Sequence, residues 1–207
     1  NQIGVRRDGR ERGGMAEGGP GKRVAEADLR HLVEKVAGGD HVAFRWLFRR
    51  FQRPVHAYLS RLVRLSHIAD ELMNETMLEL WKGAGRFGGR STVSTWLFGI
   101  ARHKAIDYLR RSREGALDEE ALAEIPDPSP SPEDSLGRAS VADLVGKLME
   151  RLSVEHREVL HLAYREELSV EEIAGVVDCP VNTVKTRMFY ARKRLKTLLA
   201  ESGVEEP

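Results

Sequence analysis

Ser169-Val-Glu-Glu-Ile-Ala-Gly-Val-Val-Asp-Cys-Pro-Val-Asn-Thr-Val-Lys-Thr-Arg-Met-Phe-Tyr-Ala-Arg-Lys-Arg-Leu195 predicts two helices joined by a tight turn. Ser169 with Glu172 three positions on is a capping box, so a helix starts there. Ile173, Ala174, Val176 and Val177 supply its apolar side. Asp178-Cys179-Pro180 ends it, because proline disfavours a helical residue before it and is tolerated at a new helix start. In the second helix Val184, Met188, Ala191, Leu195 and Leu198 follow one another at three- and four-residue spacing, one buried stripe. Its other faces hold Asn182, Thr183, Lys185, Thr186, Arg187, Tyr190, Arg192, Lys193, Arg194 and Lys196, with no acid from Val181 to Ala200. A short helix, a turn and a basic helix tipped with small polar groups fit a DNA major groove. Lysine and arginine neutralise phosphates there, and Asn, Thr and Arg near the helix start reach base edges. The plainer alternative is a solvated basic helix on an ordinary bundle.

The 207 residues, 41% hydrophobic and 31% charged, suffice for two small helical domains or one larger one. Net charge is only +1, but it is segregated. The stretch 114–135 holds Glu114, Asp118, Glu119, Glu120, Glu124, Asp127, Glu133 and Asp134 and no base, whereas the flanking segments are basic. Separate basic surfaces joined by an acidic connector are the simplest reading. The lone Cys179 excludes an internal disulfide framework and a cysteine-rich zinc site, suits a reducing cytoplasm, and reads as a packing residue of the turn, with a redox sensor as the alternative. No run reaches membrane-spanning length, and no apolar signal core opens the chain, so a cytoplasmic protein is expected.

Residues 1–26 lack periodicity and are expected to be a tail; Met15-Ala-Glu has the look of a natural start, which would place 1–14 upstream of it. Leu29, Leu32, Val33 and Val36 then form a stripe closed by Gly38-Gly39. Asp40 is placed to cap a helix bearing Phe44, Leu47, Phe48 and Phe51, and Pro54 is expected to interrupt it before Val55, Tyr58, Leu59 and Leu62 resume the pattern. Ala69, Leu72, Met73, Thr76, Met77, Leu80 and Trp81 line the core side of the next helix. Its opposite side carries Asp70, Glu71, Asn74, Glu75, Leu78 and Glu79: acids around one leucine, a pattern that suits docking to a basic partner.

A glycine-rich break over Gly83 to Gly89 leads to Ser91, Thr92, Ser94, Thr95 and Trp96, then to a helix through Arg111 with Leu97, Ala101, Ala105 and Tyr108 on its buried side. Hydroxyls, an aromatic, and Arg102, His103 and Lys104 together suit single-stranded nucleic acid. Alternatively, Trp96 is core and the basic residues are solvated. Pro126-Asp-Pro-Ser-Pro-Ser-Pro132 marks an extended spacer. The expected layout is a first domain over 27–113, a flexible acidic Pro-rich linker over 114–138, and a second domain over 139–201 opened by Val141, Leu144, Val145, Leu148 and Leu152.

Three of these stretches together resemble the bacterial RNA polymerase sigma factors. Asp70-Glu-Leu-Met-Asn-Glu-Thr-Met-Leu-Glu-Leu-Trp81 is similar to their polymerase-binding helix. Ser94-Thr-Trp-Leu-Phe-Gly-Ile-Ala-Arg-His-Lys-Ala-Ile-Asp-Tyr-Leu-Arg-Arg111 is similar to the element that melts the upstream edge of the promoter bubble. Leu152 to Leu160, Leu168 to Ala174 and Pro180 to Arg187 resemble their C-terminal domain. Two domains with a short linker are the layout of the extracytoplasmic-function (ECF) subgroup, and the likeness covers 28–199.

The resemblance implies an all-α protein of two small helical domains, without enzymatic activity or cofactor. It implies that Asp70, Glu71, Asn74, Glu75 and Leu78 face core RNA polymerase. Ser91, Thr92, Ser94, Thr95, Trp96, Arg102 and Lys104 would meet the minus-ten strand. Asn182, Thr183, Lys185, Thr186, Arg187 and Tyr190, with Arg192 and Arg194 on phosphates, would meet the minus-thirty-five duplex. It also implies an anti-sigma factor wedged between the domains over the Asp70 to Leu78 face. Two departures stand out. Asn74 replaces the usual glutamine, and Leu97 stands where housekeeping members carry a second tryptophan, which implies weaker melting and a demand for near-consensus promoters. A helix-turn-helix regulator acting alone is the competing reading; an enzyme is poorly supported, since no triad, metal-ligand spacing or phosphate loop is present.

Overall fold

The computed structural model describes residues 24–63, 65–115 and 141–202. The expected tail and most of the acidic connector lie outside them. Eight α-helices appear among the described residues, and no strand: α1 (Glu26–Ala37), α2 (His41–Val63), α3 (Ser66–Gly83), α4 (Val93–Gly115), α5 (Val141–Glu150), α6 (Val154–Tyr164), α7 (Val170–Val177) and α8 (Val181–Glu201). A single 3-10 turn, Ala84–Arg86, follows α3. None of the described helices is long and apolar enough to cross a membrane.

Local chemistry sets most boundaries. Gly38 and Gly39 end α1, with Gly39 at φ +85°, a backbone region that costs glycine little. Asp40 accepts from the amides of Val42 (2.8 Å) and Ala43 (3.1 Å), and these bonds hold its carboxyl below the usual carboxylate range. Ser153 caps α6 through His156 N–H at 3.3 Å. The capping box on α7 is complete: Ser169 Oγ accepts from Glu172 N–H (3.2 Å) and Glu172 Oε2 from Ser169 N–H (2.8 Å). Asp178, at φ 49°, makes the left-handed exit.

The expected interruption at Pro54 is wrong: α2 runs through it without a break. An interior proline costs about 3 kcal/mol. Against it, Phe51, Val55, Tyr58 and Leu59 on both sides of Pro54 are all buried on one face, and burying several such side chains at about 1.5–3 kcal/mol each outweighs the lost bond. The helix at Trp96 also starts earlier than the hydroxyls suggest. Val93 begins it, so Ser94 and Thr95 lie in its first turn and Thr92 Oγ1 accepts from Thr95 N–H at 3.2 Å.

With α1–α4 taken as a first unit and α5–α8 as a second, the interiors of the two meet. Leu47, Phe51, Tyr58, Leu97 and Phe98 of the first belong to the same buried cluster as Val159, Leu162, Ile173, Val176 and Val184 of the second. Leu148, Leu152, Leu160, Ala191 and Leu198 form a smaller core under α5 and α8. Helix α6 lies between α2 and α8, exposed at its ends but buried all round from Arg157 to Leu162, with Arg157, Glu158 and His161 included. Helix α7 lies along α4.

Candidate nucleic-acid and polymerase interfaces

The outer face of α3 is built as its periodicity predicts. Ala69, Leu72, Thr76, Met77 and Leu80 are buried, while Asp70, Glu71, Asn74, Glu75 and Leu78 are exposed, Leu78 at 49%. Leu78 is a large apolar side chain left half-exposed among acids. Asp70 Oδ1 lies 3.2 Å from His56 Nε2 and Glu75 Oε2 3.1 Å from Lys104 Nζ. The second contact places a residue expected at the polymerase beside one expected at DNA, so the two surfaces meet along the α3–α4 seam.

An open groove of about 710 Å³ runs along that seam, lined by Ser91, Thr95, Trp96, Lys104, Glu75 and, from the second unit, Gly175. Trp96 is half-buried, its ring 4.8 Å from Phe87 and its edge against Gly83, where a Cβ would lie 3.3 Å from the indole. One side of Trp96 therefore packs and the other borders the groove, so the residue is not wholly core. Leu97 is 0% exposed, so that position is core, and its leucine fills space that no DNA base reaches here.

In this arrangement the Thr92 and Thr95 hydroxyls and Arg102 already have partners. Glu172 Oε1 accepts from Thr92 Oγ1 at 2.7 Å and lies 3.5 Å from Thr95 Oγ1. Burial pushes the Glu172 carboxyl up, but the bonds from Ser169, Thr92 and Thr95 outweigh it and hold it below its ordinary value. Glu158 Oε1 accepts from Tyr58 Oη at 2.7 Å and from Arg102 Nε at 3.0 Å. The Glu158 side chain is only 4% exposed, and burial first, then its charge, raises the Tyr58 phenol well above the usual tyrosine range. His161 packs beside Tyr58, ring centres 5.8 Å apart. Carboxylates of the second unit thus engage the side chains that the sequence places at the minus-ten strand. Gly175 permits the approach: a Cβ there would stand 3.3 Å from Thr95 Cγ2.

The polar face of α8 is open by contrast. Asn182, Lys185, Thr186, Tyr190, Arg192 and Arg194 are exposed and Thr183 is half-buried. Phe189 and Tyr190 are both exposed, their rings 5.3 Å apart. Arg192 sits over the Tyr164 ring at 5.8 Å and Arg194 lies 3.8 Å from Glu201. Arg187 is half-buried, its Nη1 3.9 Å from Cys179 Sγ, and its charge helps hold Glu155 below the ordinary carboxylate range after the stronger effects of the Glu155 amide and the Ser153 hydroxyl.

Sequence reading missed Tyr58, Glu158 and Glu172 as partners of the α4 surface, and Glu26 and Arg30 behind it. Arg30 donates from Nη1 to Gly89 O (2.8 Å) and from Nη2 to Ser91 O (3.0 Å), and Glu26 Oε1 accepts from Val93 N–H at 2.9 Å. The available signal was the run Arg157-Glu158, polar residues inside the apolar pattern of α6.

Comparison with known proteins agrees with this architecture. Residues 47–114 match the Sigma-70 region 2 family and residues 142–195 the Sigma-70 region 4 family. The ECF RNA polymerase sigma-E factor of Escherichia coli is 34% identical over 177 residues, covering 79% of this chain and 90% of that protein. That of Haemophilus influenzae is 31% identical over 174 residues, 80% of this chain and 92% of the relative. Among solved structures, the sigma factor RpoE in complex with the anti-sigma factor NepR from Bartonella quintana superposes with TM-score 0.62 at 26% identity, over 76% of this chain and 96% of that one. CnrH in complex with the cytosolic domain of CnrY shares the fold, with TM-score 0.60 at 22% identity over 83% of this chain and 97% of that chain. With both sigma-70 regions matched in order and sigma-E relatives aligned along most of its length, the chain belongs to the ECF sigma factors of the sigma-70 family.

Proposed function

We propose that this chain binds core RNA polymerase through the α3 face and directs it to promoters, reading the minus-ten strand with α4 and the minus-thirty-five duplex with α8. The observation that carries this reading is the pairing, in one chain, of an exposed leucine among acids on α3 with an acid-free exposed face on α8. A regulator that acts alone needs only the second. Asp70, Glu71, Asn74, Glu75 and Leu78 form the polymerase contact. Ser91, Thr92, Ser94, Thr95, Trp96, Arg102 and Lys104 form the minus-ten surface; Asn182, Thr183, Lys185, Thr186, Arg187, Tyr190, Arg192 and Arg194 form the minus-thirty-five surface. The role calls for no catalytic group, metal or cofactor, and its place of work is the cytoplasm, with the DNA.

Minus-ten capture requires α6 and α7 to move away from α4, because Glu158 of α6 holds Arg102 and Glu172 of α7 holds Thr92 and Thr95. An anti-sigma factor is the expected controlling partner, in keeping with the relative solved in complex with NepR. A wedge between the two units does not fit the closed arrangement, where Thr95 and Gly175 are in contact. A partner that acts on the closed chain instead covers it from outside, over α3. The test is reconstitution with core polymerase followed by footprinting on genomic fragments. Co-elution with core and protection of two elements about two helical turns apart support the reading; duplex binding by the chain alone with no core association overturns it in favour of a stand-alone regulator.

A further inference from the structure

Helix α1 is far in sequence from the minus-ten surface, yet its first turn is bonded to the segment that leads into α4. Arg30 reaches Gly89 O and Ser91 O, at 2.8 and 3.0 Å, with the two ends of its guanidinium fork. Its Nε is held at 3.1 Å by Glu26 Oε1, and the same oxygen accepts from Val93 N–H at 2.9 Å. One acid–base pair therefore engages backbone groups at 89, 91 and 93, every second residue. The chain bends through 89–91, and these bonds hold it across the bend and into the first residue of α4. Gly89, at φ +64°, is where the chain turns to meet the fork, and a Cβ there would stand 2.9 Å from Arg30 Nη1. Arg90 and Thr92 fall between the clamped positions. Arg90 is exposed, and the Thr92 hydroxyl caps the first turn of α4 and points toward the second unit.

We propose that Glu26 and Arg30 are positioning residues for minus-ten recognition. They form a clamp that sets the backbone of 89–93 and so aims Arg90, Thr92 and the first turn of α4 at the nucleic acid. This rests on the function proposed above. The segment between the 3-10 turn and α4 contains Gly88 and Gly89 and has no regular structure of its own. Without the clamp it would have to be ordered when DNA binds, and that entropy would be taken from affinity and from discrimination between bases. Arginine suits the task because its planar fork delivers two parallel N–H groups to two carbonyls, which the single ammonium of lysine cannot do. The Glu26 carboxylate adds an acceptor at the N-terminus of α4, where negative charge is favoured.

The test uses holoenzyme reconstituted from core polymerase and the full chain, with fork-junction DNAs randomised over the single-stranded minus-ten element. Selection and sequencing of the bound DNAs then give a base-preference profile at each position. Arg30→Lys keeps the charge and loses the fork. It should weaken binding to the selected fork DNA by about tenfold, the worth of one or two lost bonds to a charged group, and flatten the profile. Core affinity and duplex minus-thirty-five binding should stay near wild type, and melting temperature should fall by only the few degrees that such bonds are worth. Glu26→Gln keeps an acceptor for Val93 N–H and should be milder than Glu26→Ala, a rescue that a mere loss of packing would not show. An Arg30→Lys profile as sharp as wild type, with Trp96→Ala and Arg102→Ala both impaired, overturns the clamp and leaves the minus-ten assignment standing. A uniform loss of every activity in step with melting temperature also overturns it, in favour of a structural prop. A wild-type holoenzyme with no minus-ten preference removes the clamp and the underlying reading together.

Discussion

Leu78→Ala separates the polymerase contact from the fold. Leu78 is 49% exposed on a helix whose buried residues all lie on the other side, so truncation opens no internal cavity. Leucine and alanine are both strong helix formers, and the change in folding stability should stay within about 0.5 kcal/mol. Complete burial of a leucine is worth about 1.5–3 kcal/mol, and half of its surface is left to bury at an interface, so Leu78→Ala should cost about 1 kcal/mol of binding. That is about a fivefold rise in Kd for core polymerase, more if Leu78 sits at the centre of the contact. Glu75→Lys tests the charge around it. The variant loses the 3.1 Å pair with Lys104, worth little at an exposed site, but turns attraction to a basic partner into repulsion. The Glu75 effect should shrink with added salt while the Leu78 effect persists. Anisotropy titration of labelled chain against core, alongside thermal melts, measures both. Unchanged core affinity in the two variants, or a loss that tracks melting temperature, would falsify the assignment of this face.

Three further outcomes are expected. Ser169→Ala removes the acceptor for Glu172 N–H and should lower stability by about 1 kcal/mol in denaturant titration; no loss would mean that α7 is held by packing alone. Arg187→Ala should cost about 1–3 kcal/mol on the preferred upstream element, whereas Lys196→Ala should weaken all sequences alike and lower the salt slope; equal, sequence-independent losses would demote Arg187 to a backbone contact. The closed arrangement should also have a pH window. The Glu172 carboxyl is depressed, so its contribution is present above the ordinary glutamate range and is lost as pH falls through its lowered value. The Tyr58 phenol is raised, so its contribution is intact below about pH 10 and is lost in stronger alkali. The radius of gyration from solution scattering should rise on both sides of a neutral plateau, and Glu172→Gln should abolish the acid limb; a radius that stays constant into acid would show that Glu172 does not hold the units together.

Much of the architecture is local and therefore legible in the chain. The capping box at Ser169, the Asp40 cap, the glycine stop after α1 and the three- and four-residue stripes of α3 and α8 each arise from residues a few positions apart, and each appears in the structure as read. The exposed Leu78 follows from the same periodicity: if Ala69, Leu72, Thr76 and Leu80 face inward, position 78 faces out. The error at Pro54 shows the limit of local rules, because burial of Phe51, Val55 and Tyr58 against other helices decides whether α2 survives its proline. What only tertiary structure decided is which polar groups meet. Tyr58 and Glu158 are 100 residues apart, Thr92 and Glu172 are 80 apart, and Arg30 and Gly89 are 59 apart. A carboxylate in a helical pattern reads as solvent-facing, since an unpaired buried charge is costly and is rarely kept. Glu158 escapes that rule because a phenol and a guanidinium from another part of the chain stand within 3.0 Å of it, compensation that no local window contains.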